Sequence, residues 1–266
     1  MNDYQIKIEK IKNDRLGEEK INKQGCMMRI VAYYNANNIV VELEDCKHTR
    51  VHTTYQNFKN LEVKSPYFPS VYGVGITGAK YPAKINGKIT KEYGAWKRML
   101  ERCYSEKLKM KRPTYEDAIC CDEWLLFENF YEWLHNQPNF DKWYNGEKWG
   151  LDKDIIIKGN KVYSPETCCL VPLNVNSLFT KHDNARGAYP IGISKDKNML
   201  KVACRNPFND ENQYLGEYSI TRQAFQVYKR YKEKIIKQVA QEEYSKGNIT
   251  KQCYEAMMKY EVEITD

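Results

Sequence analysis

The stretch Leu151-Asp152-Lys153-Asp154-Ile155-Ile156-Ile157-Lys158-Gly159-Asn160-Lys161, continuing through Tyr163-Ser164-Pro165-Glu166-Thr167-Cys168-Cys169-Leu170-Val171 to Asn176, decides the fold. Its short apolar runs predict a strand over Asp154 to Lys158 and another over Cys168 to Val171. The turn Lys158-Gly159-Asn160-Lys161 separates them, and a short helix starts at Leu173. Working outward, Trp96, Met99, Leu100 and Cys103 fall at helical spacing, as do Trp124, Phe127, Phe130, Tyr131 and Leu134. Beyond Gly187, the segments Ile191 to Ser194, Leu200 to Cys204 and Tyr214 to Tyr218 read as strands. A long helix follows, with Ala224, Tyr228, Tyr231, Ile235 and Val239 on one face and Ser219 as its cap. Towards the N-terminus, Met28 to Tyr33 and Ile39 to Leu43 flank the turn-like Asn35-Ala36-Asn37-Asn38. With Thr49 to Tyr55 they predict a small antiparallel barrel or sheet. Gly73, Gly75, Gly78 and Pro82 mark a flexible connection.

The chain has 266 residues, of which 42% are hydrophobic and 29% charged, the composition of globular protein. No run approaches the apolar length of a membrane helix, and the polar start MNDYQIKIEK lacks a signal-peptide core. The reading is therefore a cytoplasmic protein without a membrane partner, whose nine cysteines are reduced thiols rather than a disulfide frame. The net charge of +7 is concentrated in places. From Lys84 to Arg112 ten basic residues face three acids, and residues 181 to 240 hold twelve against six. The tail after Gln241 is acidic. Concentrated positive charge suits phosphate binding.

Three ordered pieces carry a resemblance across about ninety residues. They are Trp96-Lys97-Arg98-Met99-Leu100-Glu101-Arg102-Cys103-Tyr104; Cys121-Asp122-Glu123-Trp124 with Phe127, Phe130 and Trp133; and Leu151-Asp152-Lys153-Asp154 with Tyr163-Ser164-Pro165-Glu166-Thr167-Cys168 and Asn176. Together they resemble the phage HNH-like endonucleases. The resemblance implies a ββα-metal module, a bacterial host cell, and a metal held by Asp152 and Asn176, with Mg2+ or Mn2+ as the ion. It also makes Asp152, Lys153 and Asn176 the catalytic positions, but Lys153 stands where active members hold the histidine base. A lysine of ordinary pKa near 10.4 is protonated at neutral pH and cannot take a proton from water. Thr167 likewise replaces the usual asparagine. His48, His52 and His135 are remote in sequence, and His182 lies six residues past Asn176, off its helical face. Cys103, Cys121 and Cys168, with Cys120 or Cys169, could be drawn as a structural zinc set. Without a Cys-x-x-Cys pair, packing cysteines are the better reading and structural zinc is not expected.

The last third is similar to the three-strand-plus-helix DNA-binding domain of Apetala-type transcription factors. The carrying residues are Tyr189 to Ser194, Leu200 to Ala203, and Tyr214 to Tyr218 leading into Ala224-Phe225. This resemblance implies a sheet laid in the major groove, with Lys195, Lys197, Lys201 and Arg205 reaching DNA. Lys97, Arg98 and Arg102 are the candidates in the central region. The expected fold class is α+β: an N-terminal small β-barrel (1-68), a linker (69-92), a central HNH-like ββα-metal module with flanking helices (93-184), and a C-terminal three-stranded sheet plus helix (185-266). Three functions follow: a double-stranded DNA binder, a metal-dependent nicking endonuclease of homing type, or a protein-binding inhibitor of a host defence complex.

Overall fold

A computed structural model describes residues 3-146, 148-180 and 188-266. The fold is mixed α+β, with several small antiparallel sheets, and it divides into two compact units. One comprises residues 1-116 and 120-132; the other comprises 117-119 and 133-266. Among the described residues no helix is long and apolar enough to cross a membrane.

The first unit begins with helix α1 (Asp3–Arg15) and strands β1 (Glu19–Ile21), β2 (Met27–Asn35), β3 (Asn38–Leu43) and β4 (Arg50–Thr53), followed by α2 (Tyr55–Lys59). The strands pair in the order β1-β2-β3-β4. Of the barrel or sheet expected from the sequence, the described strands form an antiparallel sheet with β1 and β4 as edges, and no closure into a barrel is seen among them. The side-chain alternation explains why closure is unnecessary. Met28, Ile30, Ile39, Val41 and Leu43 are buried together with Phe58 of α2, so one face is covered by local chain. The other face carries the buried Val40 beside cross-linking ion pairs, with Arg29 Nε 2.6 Å from Glu19 and Arg50 Nε 2.7 Å from Glu42.

Next come the two-residue strands β5 (Lys84–Ile85) and β6 (Lys88–Ile89), α3 (Lys91–Tyr104), α4 (Glu106–Lys111), β7 (Ile119–Cys120) and α5 (Phe127–His135). Helix α3 starts where the Thr90 hydroxyl accepts the Tyr93 N–H, and it buries Trp96, Met99, Leu100 and Cys103. The Trp96 indole N–H donates to Trp124 O at 2.7 Å, and the Phe127 ring lies 5.4 Å from that of Trp96. The glycine-marked connection is fastened rather than loose: Ile76 N–H donates to Leu125 O (2.8 Å) and Phe127 N–H to Ile76 O (2.9 Å).

The second unit contains α6 (Phe140–Tyr144), β8 (Trp149–Asp152), β9 (Val162–Tyr163), β10 (Cys169–Pro172) and α7 (Leu173–Ser177). After these come β11 (Ile193–Asp196), β12 (Met199–Asn206), β13 (Glu211–Tyr218), α8 (Thr221–Ser245) and α9 (Lys251–Met258). β8 and β10 are antiparallel, with Asp152 opposite Cys169 and Trp149 opposite Pro172. The expected strand over Asp154 to Lys158 is not formed; the first strand ends at Asp152 and bends follow. β11-β12-β13 form the second sheet, whose Ile193, Leu200, Val202 and Cys204 pack on Ala224, Phe225 and Tyr228 of α8. Ser219 does not cap α8, because the residue before its first turn is Ile220. One core joins Ile155, Cys169, Val171 and Val175 to the inner face of this sheet.

Candidate functional site

The turn after β8 is built by the Asp152 carboxylate. Its Oδ1 accepts the backbone N–H groups of Asp154 and Ile155, both at 2.8 Å. Two amides held by a side chain cannot also enter a sheet ladder, so the strand stops and Ile155 drops into the core. The loop is then closed by Asn160. Its Nδ2 donates to Lys153 O and Val162 O, both at 2.7 Å, while its Oδ1 accepts Val162 N–H at 3.1 Å. The Thr167 hydroxyl donates to Val162 O at 2.8 Å and lies 3.1 Å from Ser164 Oγ. A threonine at this position therefore still fastens the loop.

Lys153, at the histidine position of the resemblance, is only 8% exposed. Its Nζ donates to Asp154 Oδ2 at 3.1 Å and to Asn160 O at 3.0 Å, and it lies 5.9 Å from the centre of the Tyr163 ring. The ammonium is thus turned inward as a staple for the loop. Asp152 is 7% exposed, and burial, reinforced by the neighbouring Asp154 charge, raises its pKa to about 6. The two amide hydrogen bonds oppose that rise without cancelling it. Lys158, further along the loop, is taken up by the C-terminal segment, with Nζ 2.8 Å from Glu261 O and 2.7 Å from Asp266 Oδ2.

Asn176 is carried on α7 over β8. Its Nδ2 lies 3.6 Å from the point a Cβ on Gly150 would occupy. Gly150 and Asp152 are two residues apart on one strand, so Asn176 and Asp152 share a face of β8. The resemblance names both residues, and the parity of β8 is what relates them in the structure. With two protein donors, one having an oxygen already accepting two amides, a hard divalent ion would complete its roughly six oxygens with water or phosphate. No group of three His, Cys, Asp or Glu suited to a metal occurs among the described residues. Cys168 and Cys169 are buried, and burial pushes the Cys168 thiol up to about 12. Such a thiol is protonated at neutral pH and packs as a small apolar group. His182 lies outside the described residues.

The basic candidates fall into two chemically different sets. On the C-terminal sheet, the register puts Lys201 opposite Glu217 on the outer face, and Lys201 is ion-paired with Asp196. Arg205 is ion-paired with Asp210, its Nε 3.0 Å from Oδ1. Lys195 is exposed on β11 and Lys197 sits in the β11-β12 turn at φ 53°. In the first unit, Lys97 and Arg98 are exposed on α3, and Arg102 lies 5.7 Å above the Tyr115 ring. Lys84 and Lys88 are also exposed, on the hairpin preceding α3. Sequence reasoning counted their charge without seeing the hairpin; its signal was Asn86-Gly87 between two Lys-Ile pairs. No described acidic group lies within 4 Å of Lys84, Lys88, Lys97 or Arg98.

No protein-family model, curated protein or solved structure matches this chain.

Proposed function

We propose that this chain is a double-stranded DNA-binding protein of the bacteriophage type, built on a degenerate HNH-like scaffold and holding duplex DNA through its basic central and C-terminal surfaces. The observation that carries this reading is the exposed set Lys84, Lys88, Lys97 and Arg98, which no described acid engages. Cations gain affinity for a duplex by displacing the counterions condensed on its phosphates. A lysine already held by a carboxylate gives up that interaction when it turns to phosphate, so Lys201 and Arg205 contribute less. Lys195 and Lys197 supply the remaining charge of the C-terminal surface. Buried and stapled, Lys153 contributes to the loop and not to proton transfer.

Titration of a fluorescent 30-base-pair duplex at several salt concentrations tests this. The wild-type chain binds with a steep negative dependence of log K on log salt. Lys97→Ala/Arg98→Ala makes that slope shallower by about two, at roughly 0.9 per phosphate contact. Lys201→Ala/Arg205→Ala changes it by less than one. Absence of binding at about 50 mM salt overturns the proposal and leaves the protein-binding inhibitor. The nicking endonuclease has one supporting observation, the shared face of Asp152 and Asn176, and plasmid relaxation decides it.

A further inference from the structure

We propose that the β5-β6 hairpin, Lys84-Ile85-Asn86-Gly87-Lys88-Ile89, is a major-groove probe that reads A·T base pairs through Asn86 and contacts thymine methyl groups through Ile85. The inference rests on the DNA-binding reading and assigns the element that enters the groove. All six residues are exposed, and Ile85 and Ile89 keep 55% and 52% of their surface accessible. Asn86 and Gly87 both have positive φ, 50° and 76°, the tight turn that suits the twist of a two-stranded ribbon. Lys84 stands opposite Ile89 and Ile85 opposite Lys88, so each face of the ribbon carries one lysine and one isoleucine.

That distribution selects the partner's shape. A groove entered turn-first meets both faces at once, with Lys84 and Lys88 towards the phosphates of the walls and Ile85, beside the turn, nearest the base edges of the floor. A ribbon with side chains on both faces is about 10 Å thick, which fits a major groove roughly 12 Å wide and not a minor groove of about 6 Å. At the leading edge the Asn86 amide is exposed, and its donor and acceptor match the N6 and N7 of adenine. Thymine offers its methyl group in the same groove. Immediately behind the ribbon, Ile89 Cγ2 and Arg98 Nη1 both lie within 4 Å of a Cβ placed on Gly94, so the hairpin adjoins the α3 cations.

Three 24-base-pair duplexes provide the test: one of A·T pairs only, the same duplex with deoxyuridine for thymidine, and one of G·C pairs only. The uridine duplex lacks only the major-groove methyl groups. Wild type binds the A·T duplex several-fold more tightly than either of the others. Ile85→Ser abolishes the thymine-uracil difference, whereas Ile89→Ser retains it. Asn86→Gly keeps a backbone suited to positive φ while deleting the amide, and it lowers the A·T over G·C preference on the order of tenfold. Lys84→Ala/Lys88→Ala reduces the salt slope by about two with the thymine-uracil difference retained. If wild type does not distinguish thymine from uracil, or the variants bind all three duplexes as wild type does, the hairpin is not the groove element and the DNA-binding reading stands. If wild type binds no duplex at about 50 mM salt, both fall.

Discussion

Asp152 is a carboxyl group used as a turn anchor and held away from water, and these two facts pull its ionisation in opposite directions. Burial and the Asp154 charge prevail, raising its pKa to about 6. The folded chain therefore binds this proton more tightly than the unfolded chain does. The resulting stabilisation is complete below about pH 3.9 and is lost as pH rises through about 6, an effect of roughly 2 to 3 kcal/mol. Asp152→Asn keeps an oxygen for the two amide donors and removes the titration. We expect its urea midpoint to match wild type at pH 4 and to exceed it at pH 7.5; equal midpoints at both values would show that the carboxylate is not penalised by burial. Asn160 is the other anchor, with three hydrogen bonds at or below 3.1 Å. Asn160→Ala should lose about 2 to 3 kcal/mol by leaving Val162 and Lys153 backbone groups without that partner, again read from the urea midpoint.

At the scale of elements, a single acidic side chain organises the approach to α5. Glu128 Oε1 accepts the N–H groups of Ala79 and Lys80, both at 2.8 Å, and the Tyr67 hydroxyl at 3.1 Å. Gly78 has φ +75°, and a Cβ there would stand 2.3 Å from Glu128 Oε1. Glu128→Ala should destabilise the chain by about 2 to 4 kcal/mol and speed hydrogen exchange at the Ala79 and Lys80 amides, whereas Glu128→Gln, which retains the acceptor, should lose less. This clamp was illegible in the sequence, where clustered glycines signal a connection and nothing marks its acceptor fifty residues away. Helices α3 and α8 were legible because each buries a continuous periodic stripe, Trp96 to Cys103 in one and Ala224 to Val239 in the other. The Ile155-Ile156-Ile157 run misled because composition imitates a strand. Burial is 2% exposed at Ile155 but 51% at Ile157, on a backbone whose amides Asp152 has taken. For the site, Asp152 and Asn176 were paired through the resemblance alone, and the inward course of Lys153 depends on Asn160 and Asp154, which no spacing rule specifies.

For the whole molecule, net charge does not say which cations a polyanion would meet. The formal +7 already subtracts the acids, but it does not show which lysines and arginines those acids hold: Lys158 on Asp266, Lys201 on Asp196, Arg205 on Asp210 and Lys246 on Glu242. The exposed pairs among these, on Lys201, Arg205 and Lys246, are individually weak, yet each must be broken before its cation can serve a phosphate. Binding strength should accordingly follow the cations without described partners in the first unit more than the total count. Holding a duplex and cutting it also make separate demands. Cleavage requires a base or an activated water at the phosphate, and an ammonium fixed 3.0 Å from the Asn160 carbonyl supplies neither. Supercoiled plasmid incubated with the protein and magnesium or manganese should therefore shift in a gel yet, after protein removal, run as closed circles. Accumulation of nicked circles that disappears in Asp152→Ala would instead make the loop catalytic, with Lys153 acting in a role other than proton acceptor.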